Sequence, residues 1–261
     1  MNFPTKNDLP ALKKLFIDVF SEETQFVDMM FQHKLSIDNT FVIRKDKKIV
    51  SMAYTMYFDC KIGDIFGKCV YIYGVGTDAN YRGMGYMSEI MNDIYTYYKE
   101  KEILFLYLVP ADSELFKMYE KFGYKTAFYL DKKEIPVSSA EFISTQHGNF
   151  HSDYLKYISQ FQNVIIRSEA DNLLILNECE YIKINESGFL YYTNNKKTYL
   201  REAYIYNEKD FLEFVDSLSV DVIEFTTPEE AKTPYAMINI ISDKIKYSDF
   251  DKKSYTNLNF D

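Results

Sequence analysis

One arginine and four glycines gather in GVGTDANYRGMGYMSEIM, from Gly74 to Met91, in a chain with only nine glycines among 261 residues. Met87, Ile90, Met91, Ile94 and Tyr98 fall on one stripe and predict a helix over Tyr86–Glu100. Arg82, Gly83 and Gly85 therefore stand directly in front of a helix N-terminus. The first turn of a helix leaves backbone N–H groups without partners, at the positive end of the helix dipole. Glycine lets an anion approach that backbone closely, and a guanidinium adds charge and paired hydrogen bonds. The chemistry this spacing serves is phosphate binding. There is no G-x-x-x-x-G-K-[ST] loop, and GVG at Gly74–Gly76 runs on into Thr77, Asp78 and Ala79, which is not G-x-G-x-x-G.

Elements on either side must position this loop. Asp8–Phe20 carries Leu9, Leu12, Leu15, Phe16 and Val19 at helical spacing, and Ser21 is placed to cap a second helix through Phe26, Met29, Met30 and His33. TFVIRKDKKIVSMAYTMYF reads as two strands joined at Lys45–Lys48. A turn near Gly63–Gly67 leads to a strand from about Lys68 to Thr77, and the short connections make this meander antiparallel. After the helix, EILFLYLVP is a continuous apolar run, as expected of a central buried strand. Asp112 or Ser113 caps a helix over Glu114–Phe122, and Gly123 ends it where a left-handed residue is wanted. YKTAFYLDKKEI returns as a strand. The first half thus reads α-α-β-β-β-α-β-α-β, with a right-handed β-α-β crossover centred on the glycine loop.

PVSSAEFISTQHGN reads as a linker. Beyond it come a helix near Tyr154–Phe161, strands at NVIIRS, NLLILNE, ECEYIKINESGFLYYTNN and KTYLREAYIYN, a helix at Glu208–Leu218 and a strand at VDVIEFTTP. The tail from PYAMINII adds another strand or helix. The expected fold class is α/β with mixed sheets, organised as 1–133, a linker at 134–149, and a second domain at 150–261.

Composition narrows the partners. The net charge is −9 and uneven: residues 1–130 hold 16 basic and 17 acidic side chains, residues 131–261 hold 14 and 22. An acidic half argues against nucleic acid and is compatible with a cationic small molecule. Cys60, Cys69 and Cys179 form no C-x-x-C pair, and His33, His147 and His151 make no cluster, so neither a disulfide framework nor a metal is expected. The start MNFPTKNDLP has no apolar signal core, and ILFLYLVP is too short to span a bilayer. A cytoplasmic protein without membrane contact is the expectation. The 24 Tyr and 21 Phe, with no Trp, read as an aromatic-filled core.

The loop resembles the acetyl-CoA-binding motif of the GNAT acetyltransferase superfamily, a strand followed by [Q/R]-x-x-G-x-[G/A] and a helix. Arg82, Gly85 and Met87 occupy its fixed positions, with Met87 standing where Gly or Ala is usual and Ala79 replacing a proline of the longer pattern. LVPADSELFKMYEKFGY matches a second family landmark through Tyr119, Gly123 and Tyr124. The resemblance covers about residues 3–130. It implies acetyl-CoA as co-substrate, with the pyrophosphate on Arg82 and the amides of Gly83, Met84, Gly85, Tyr86 and Met87. It also implies that the amides of Val75 and Thr77, on a bulged strand, take the pantetheine arm and the acetyl carbonyl. Tyr119 would protonate the departing thiolate.

Within the superfamily the chain looks most like the tandem type that includes the enhanced-intracellular-survival group. That likeness implies a degenerate GNAT-like second domain, which lacks R-x-x-G-x-G and should not bind CoA. The implied reaction is direct acetyl transfer to an amine of a small molecule or an exposed lysine. The general base stays open among the Asp261 carboxylate, His33, Glu89 and a water relay, with Asp78 also beside the loop. A non-catalytic acyl-CoA-binding regulatory protein is the alternative; an aminoacyl-tRNA-dependent transferase fits less well, given the intact loop and the acidic second half. Oligomeric state is not readable from the sequence.

Overall fold

The computed structural model describes residues 3–137, 148–227, 231–250 and 254–256. In chain order the elements are α1 (Leu9–Phe20), α2 (Thr24–His33), β1 (Thr40–Lys45), β2 (Lys48–Ile62), β3 (Ile65–Thr77), α3 (Tyr86–Lys99), β4 (Ile103–Leu108), α4 (Ser113–Glu120) and β5 (Lys125–Tyr129). They continue with β6 (Asp131–Pro136), α5 (Phe150–Ile158), β7 (Asn163–Ile166), α6 (Glu169–Ile175), β8 (Glu180–Ile184), β9 (Ser187–Asn194), β10 (Lys197–Tyr204), α7 (Glu208–Ser217), β11 (Val222–Thr227), β12 (Pro234–Ile240) and β13 (Ser254–Tyr255). The chain folds into two units, neither contiguous in sequence. The first takes Met1–Asp59, Ile65–Thr126 and Ala236–Tyr247; the second takes Cys60–Asp64, Ala127–Tyr235 and Ser248–Asp261.

In the first unit the strands lie in the order β1-β2-β3-β4-β12. β1 and β2 are antiparallel across a two-residue turn at Asp46 and Lys47, both left-handed, which is the turn geometry that follows strand twist. β3 and β4 are parallel, with α3 as the crossover between them. β4 is buried along its whole length, as its unbroken apolar sequence requires. The α3 stripe at Ile90, Met91, Ile94 and Tyr98 is buried against Val50, Val70, Ile72 and Leu106. The Tyr98 hydroxyl keeps its hydrogen bond in the core, 2.7 Å from Thr55 Oγ1. On the far side of β4, β12 pairs antiparallel, from Met237↔Leu108 to Ile240↔Phe105.

The second unit holds a five-stranded sheet in the order β6-β11-β10-β9-β8. Its sequence of elements from β8 to β11 repeats that of β1 to β4: an antiparallel meander, then a helix, then a strand parallel to the last of the meander. α7 covers this sheet through Phe214, which stacks on Phe189 at 4.4 Å. Arg167 and Glu202 form a fully buried ion pair, with Tyr204 also donating to the carboxylate.

Three local expectations change. Ser21 is not the cap of α2; it takes the left-handed residue that ends α1, and α2 begins at Thr24. NLLILNE is not a strand: Ser168 and Asp171 form a capping box that starts α6 in front of it, so Leu173, Leu174 and Ile175 lie on a helix and Leu176 ends it. YKTAFYLDKKEI is two strands, β5 and β6, broken at Leu130. Of the proposed linker, residues 138–147 lie outside the described residues, and Pro136 closes β6.

Arg44 on β1 reaches back to Asp8, at the head of α1, with Nη1 3.1 Å and Nη2 2.7 Å from its two carboxylate oxygens. This forked contact holds the Asp8 carboxyl down at about 2, from 3.8. The folded pKa lies below the unfolded one, so the contribution is complete above pH ~4 and disappears as pH falls through ~2. Asp8→Asn is expected to destabilise the protein by about 1 kcal/mol near neutral pH, allowing for solvent screening of a partly exposed pair. Urea titrations of both proteins check this, and the gap between them should close on acidification.

Candidate active site

The centre of the site is a place where two strands part. The parallel register of β3 and β4 runs from Lys68↔Ile103 to Tyr71↔Tyr107 and stops, although β3 continues to Thr77. The edge amides of β3 beyond Tyr71 therefore lie next to a gap rather than a strand. Their direction can be worked out. The Asp78 N–H donates to Val50 O at 2.9 Å, and Gly76 O accepts from Ser51 Oγ at 2.9 Å, so positions 78 and 76 face β2. Alternation along a strand turns positions 77 and 75 to the opposite edge. The Thr77 carbonyl agrees, since it accepts from Arg82 Nε at 3.3 Å on the loop side. Val75 and Thr77 thus present their amides to the gap.

Gly74 and Gly76 have a second reason to be glycine. Gly74 is left-handed, with φ +58°, and a Cβ there would lie 2.9 Å from Phe16 and 3.1 Å from Tyr54. A Cβ on Gly76 would lie 2.9 Å from Val19. α1 crosses β3 at this point, and only bare backbone lets it lie so close.

From Thr77 the chain passes through a short turn held by Asp78. The Asp78 carboxylate accepts from the Asn80 N–H at 3.0 Å and from Lys48 Nζ at 2.6 Å. The Lys48 hydrogen bond, with help from Asn80, lowers the Asp78 pKa. Asp78 is therefore committed to the loop's architecture. Gly83 and Gly85 follow with φ +78° and +83°, and a Cβ on either would meet nothing within 4 Å. Gly85 is the N-cap residue of α3 and offers no side chain to the first turn. The N–H groups of Tyr86, Met87 and Ser88 make up the first turn of α3, directly after two glycines and without a side-chain cap, the arrangement that suits an anion. The Met87 side chain turns the other way and packs against the buried cluster of the unit. Met84 is exposed at the tip of the loop.

Tyr119 lies near the end of α4 and belongs to the same buried cluster as Ile72 and Leu108, with Val75 and Met87 packed against it. Strand, helix start and phenol are thereby gathered on one core. Asp112 starts α4 by accepting from the Glu114 and Leu115 amides at 2.9 and 3.0 Å. Burial pushes the Tyr119 pKa up to about 12, with a smaller contribution from the Asp112 charge. The phenol stays protonated at any physiological pH.

The candidate bases fare differently. His33 is the last residue of α2 and is exposed, and Glu89 is exposed in the first turn of α3. Asp261 lies outside the described residues. Sequence reading missed Ser51, whose hydroxyl lies 2.8 Å from Thr77 Oγ1 as well as bonding Gly76 O, and so fixes the end of β3. It also missed Lys48. A serine in an apolar strand and a lysine in a charged turn give no sign of either role. Among the described residues there is no group of three or more His, Cys, Asp or Glu suited to a metal, and no helix is long and apolar enough to cross a membrane.

Comparison with known proteins bears on the first unit most directly. Residues 2–127 match the model of the acetyltransferase (GNAT) domain. A GCN5-related N-acetyltransferase from Kribbella flavida superposes with a TM-score of 0.74 at 14% identity, over 92% of this chain and 71% of that one. A conserved protein of unknown function from Enterococcus faecalis V583, described as a probable N-acyltransferase, gives 0.71 at 16% identity, over 92% and 72%. Eis1 from Mycobacterium abscessus gives 0.65 at 9% identity with the same coverage. At these identities the likeness is one of fold. No curated protein matches the sequence.

The two kinds of glycine should respond differently to a methyl group. Gly74→Ala meets Phe16 and Tyr54 with a left-handed backbone, and is expected to cost about 2–4 kcal/mol. Gly83→Ala meets open space and is expected to cost only the backbone strain of about 1 kcal/mol. Thermal melts followed by circular dichroism separate them, and equal shifts would rule out the packing role of Gly74.

Proposed function

We propose that the protein is an acetyl-CoA-dependent N-acetyltransferase acting by direct transfer to an amine, a reading supported by the match of residues 2–127 to the acetyltransferase (GNAT) domain model. The observation that carries this reading is the end of the β3–β4 ladder at Tyr71↔Tyr107, beside a helix whose N-terminus is opened by Gly83 and Gly85. A thioester needs such a pair of features: edge amides for the acyl arm and an anion seat for the pyrophosphate.

In the proposed complex the pyrophosphate rests on the amides from Gly83 to Met87, with Arg82 alongside. The edge amides of Val75 and Thr77 bond the pantetheine arm and polarise the acetyl carbonyl. The amine nitrogen attacks the carbonyl carbon, the carbon–sulfur bond breaks, and the sulfur takes the Tyr119 proton. The proton lost by the amine passes to water, and water returns one to the Tyr119 phenolate so that the phenol is restored; Asp78, held by Lys48 and Asn80, takes no part. The acceptor is an amine of a small molecule or an exposed lysine, and the net charge of −8 on residues 131–261 favours a cationic one.

The second unit is assigned no CoA site. Its β10–α7–β11 crossover repeats the β3–α3–β4 arrangement, but α7 is capped by Asn207, whose side chain accepts from the Lys209 amide at 3.0 Å. Its helix N-terminus is capped from within, without a glycine before it. The tandem, enhanced-intracellular-survival-like architecture is the reading this supports.

The test is calorimetric titration of acetyl-CoA, followed by CoA release assayed over a panel of amines. Acetyl-CoA should bind, and release should require an amine. Tyr119→Phe should lower kcat by about a hundredfold while leaving acetyl-CoA affinity near the wild-type value. With a pKa of about 12, Tyr119 should impose no alkaline limb on the rate below pH ~11. Binding without release on any amine would favour a regulatory acyl-CoA receptor; a Tyr119→Phe protein with wild-type kcat would remove the acid assignment.

A further inference from the structure

The turn that follows α4 is fastened from the other end of the chain. The Tyr124 N–H donates to Tyr119 O at 3.3 Å and the Gly123 N–H to Glu120 O at 3.0 Å, with Gly123 left-handed at φ +83°. These two bonds make a Schellman turn, and Tyr119 and Tyr124 are its paired apolar residues, with ring centroids 5.9 Å apart. The backbone of the phenol-bearing residue is thus fixed by the shape of this turn. The Phe122 N–H also donates to Tyr119 O, at 2.9 Å.

The carbonyls on the outside of the turn point at β12 and the segment after it. Asn239 Nδ2 donates to Phe122 O at 2.8 Å, and the Tyr247 hydroxyl donates to Gly123 O at 2.9 Å. Asn239 is buried on β12, which is itself hydrogen-bonded to the end of β4. Packing alone does not immobilise the turn. A cavity of about 210 Å³ opens beside it, bounded by Met91 and Tyr95 of α3 together with Phe122 and Asn239. The same β12 pairs Met237 with Leu108 at the point where β4 leaves β3.

We propose that Asn239 and Tyr247 are positioning residues for the Tyr119 phenol, holding the turn after α4 by its two outward carbonyls while β12 holds the arm of β4 beside it. This rests on the reading of Tyr119 as the proton donor. Neither side chain is placed in contact with the reacting atoms, so each acts through geometry. A phenol displaced by a fraction of an ångström still buries its ring and still allows acetyl-CoA to bind, but donates its proton less well.

The experiment is a double-mutant cycle on CoA release with saturating acetyl-CoA and the best amine of the panel, or with hydroxylamine as a generic nucleophile. Asn239→Ala and Tyr247→Phe are each expected to lower kcat by about tenfold, with the KM for acetyl-CoA unchanged. Tyr247→Phe removes one oxygen and leaves the ring beneath Lys125, 4.5 Å away, so it keeps the test open if Asn239→Ala folds poorly. In a Tyr119→Phe background neither substitution should lower kcat further. An undiminished fall in that background, or a rise in KM that matches the fall in kcat, overturns the positioning role. Wild-type kcat in Tyr119→Phe itself would instead overturn the donor assignment, and the two failures are distinguishable in one data set.

Discussion

Parallel strands that stop pairing before they end leave backbone donors to be satisfied by something else. That constraint governs the first unit. β3 leaves β4 after Tyr71, yet it stays fixed on its other side by Ser51, by the Asp78–Val50 hydrogen bond and by α1 lying across Gly74 and Gly76. A strand held along one edge only, with the other edge open, is a preorganised row of amides. Rigidity on the held edge is what gives the open edge its direction. The Arg82–Thr77 contact and the Lys48–Asp78 ion pair extend that rigidity through the turn into α3.

Much of this was legible in the sequence because it depends on local rules. The periodicity of Met87–Tyr98 set α3, the apolar run EILFLYL set β4, and Gly123 marked the end of α4. What was not legible depends on contacts between distant residues. The close approach of α1 to Gly74 and Gly76 depends on Phe16 and Val19, some sixty positions earlier. The partner of Asp78, Lys48, lies thirty positions earlier in a charged turn. Ser21 and NLLILNE were misread because capping depends on the geometry of adjoining turns, and an apolar heptapeptide fits a short strand or a short helix equally well. The separation of PYAMINII from the elements around it hid its place beside β4.

The two units keep one order of elements but start their crossover helices differently. Both have an antiparallel meander followed by a parallel crossover. In one, the helix of the crossover begins after glycines, with no side-chain cap on its first turn. In the other, Asn207 fills the same place with its own side chain, and the interior is held by the buried Arg167–Glu202 pair and its tyrosines. A buried ion pair adds little net stability but strongly penalises alternatives that separate the partners.

β12 has a consequence for the order of events in the life of the chain. The first unit is complete only when residues 236–247 return to it, more than a hundred positions after β4. Contacts at such separation raise contact order and slow the closing steps of folding. During synthesis, α3, β4 and α4 are already exposed while the strand that covers β4 has yet to be made. The glycine loop before α3 is braced only by elements made before β12 and can form early. The frame around Tyr119 forms late, so a chain that ends before β12 would keep the glycine loop while lacking the Asn239 and Tyr247 contacts that hold the turn after α4.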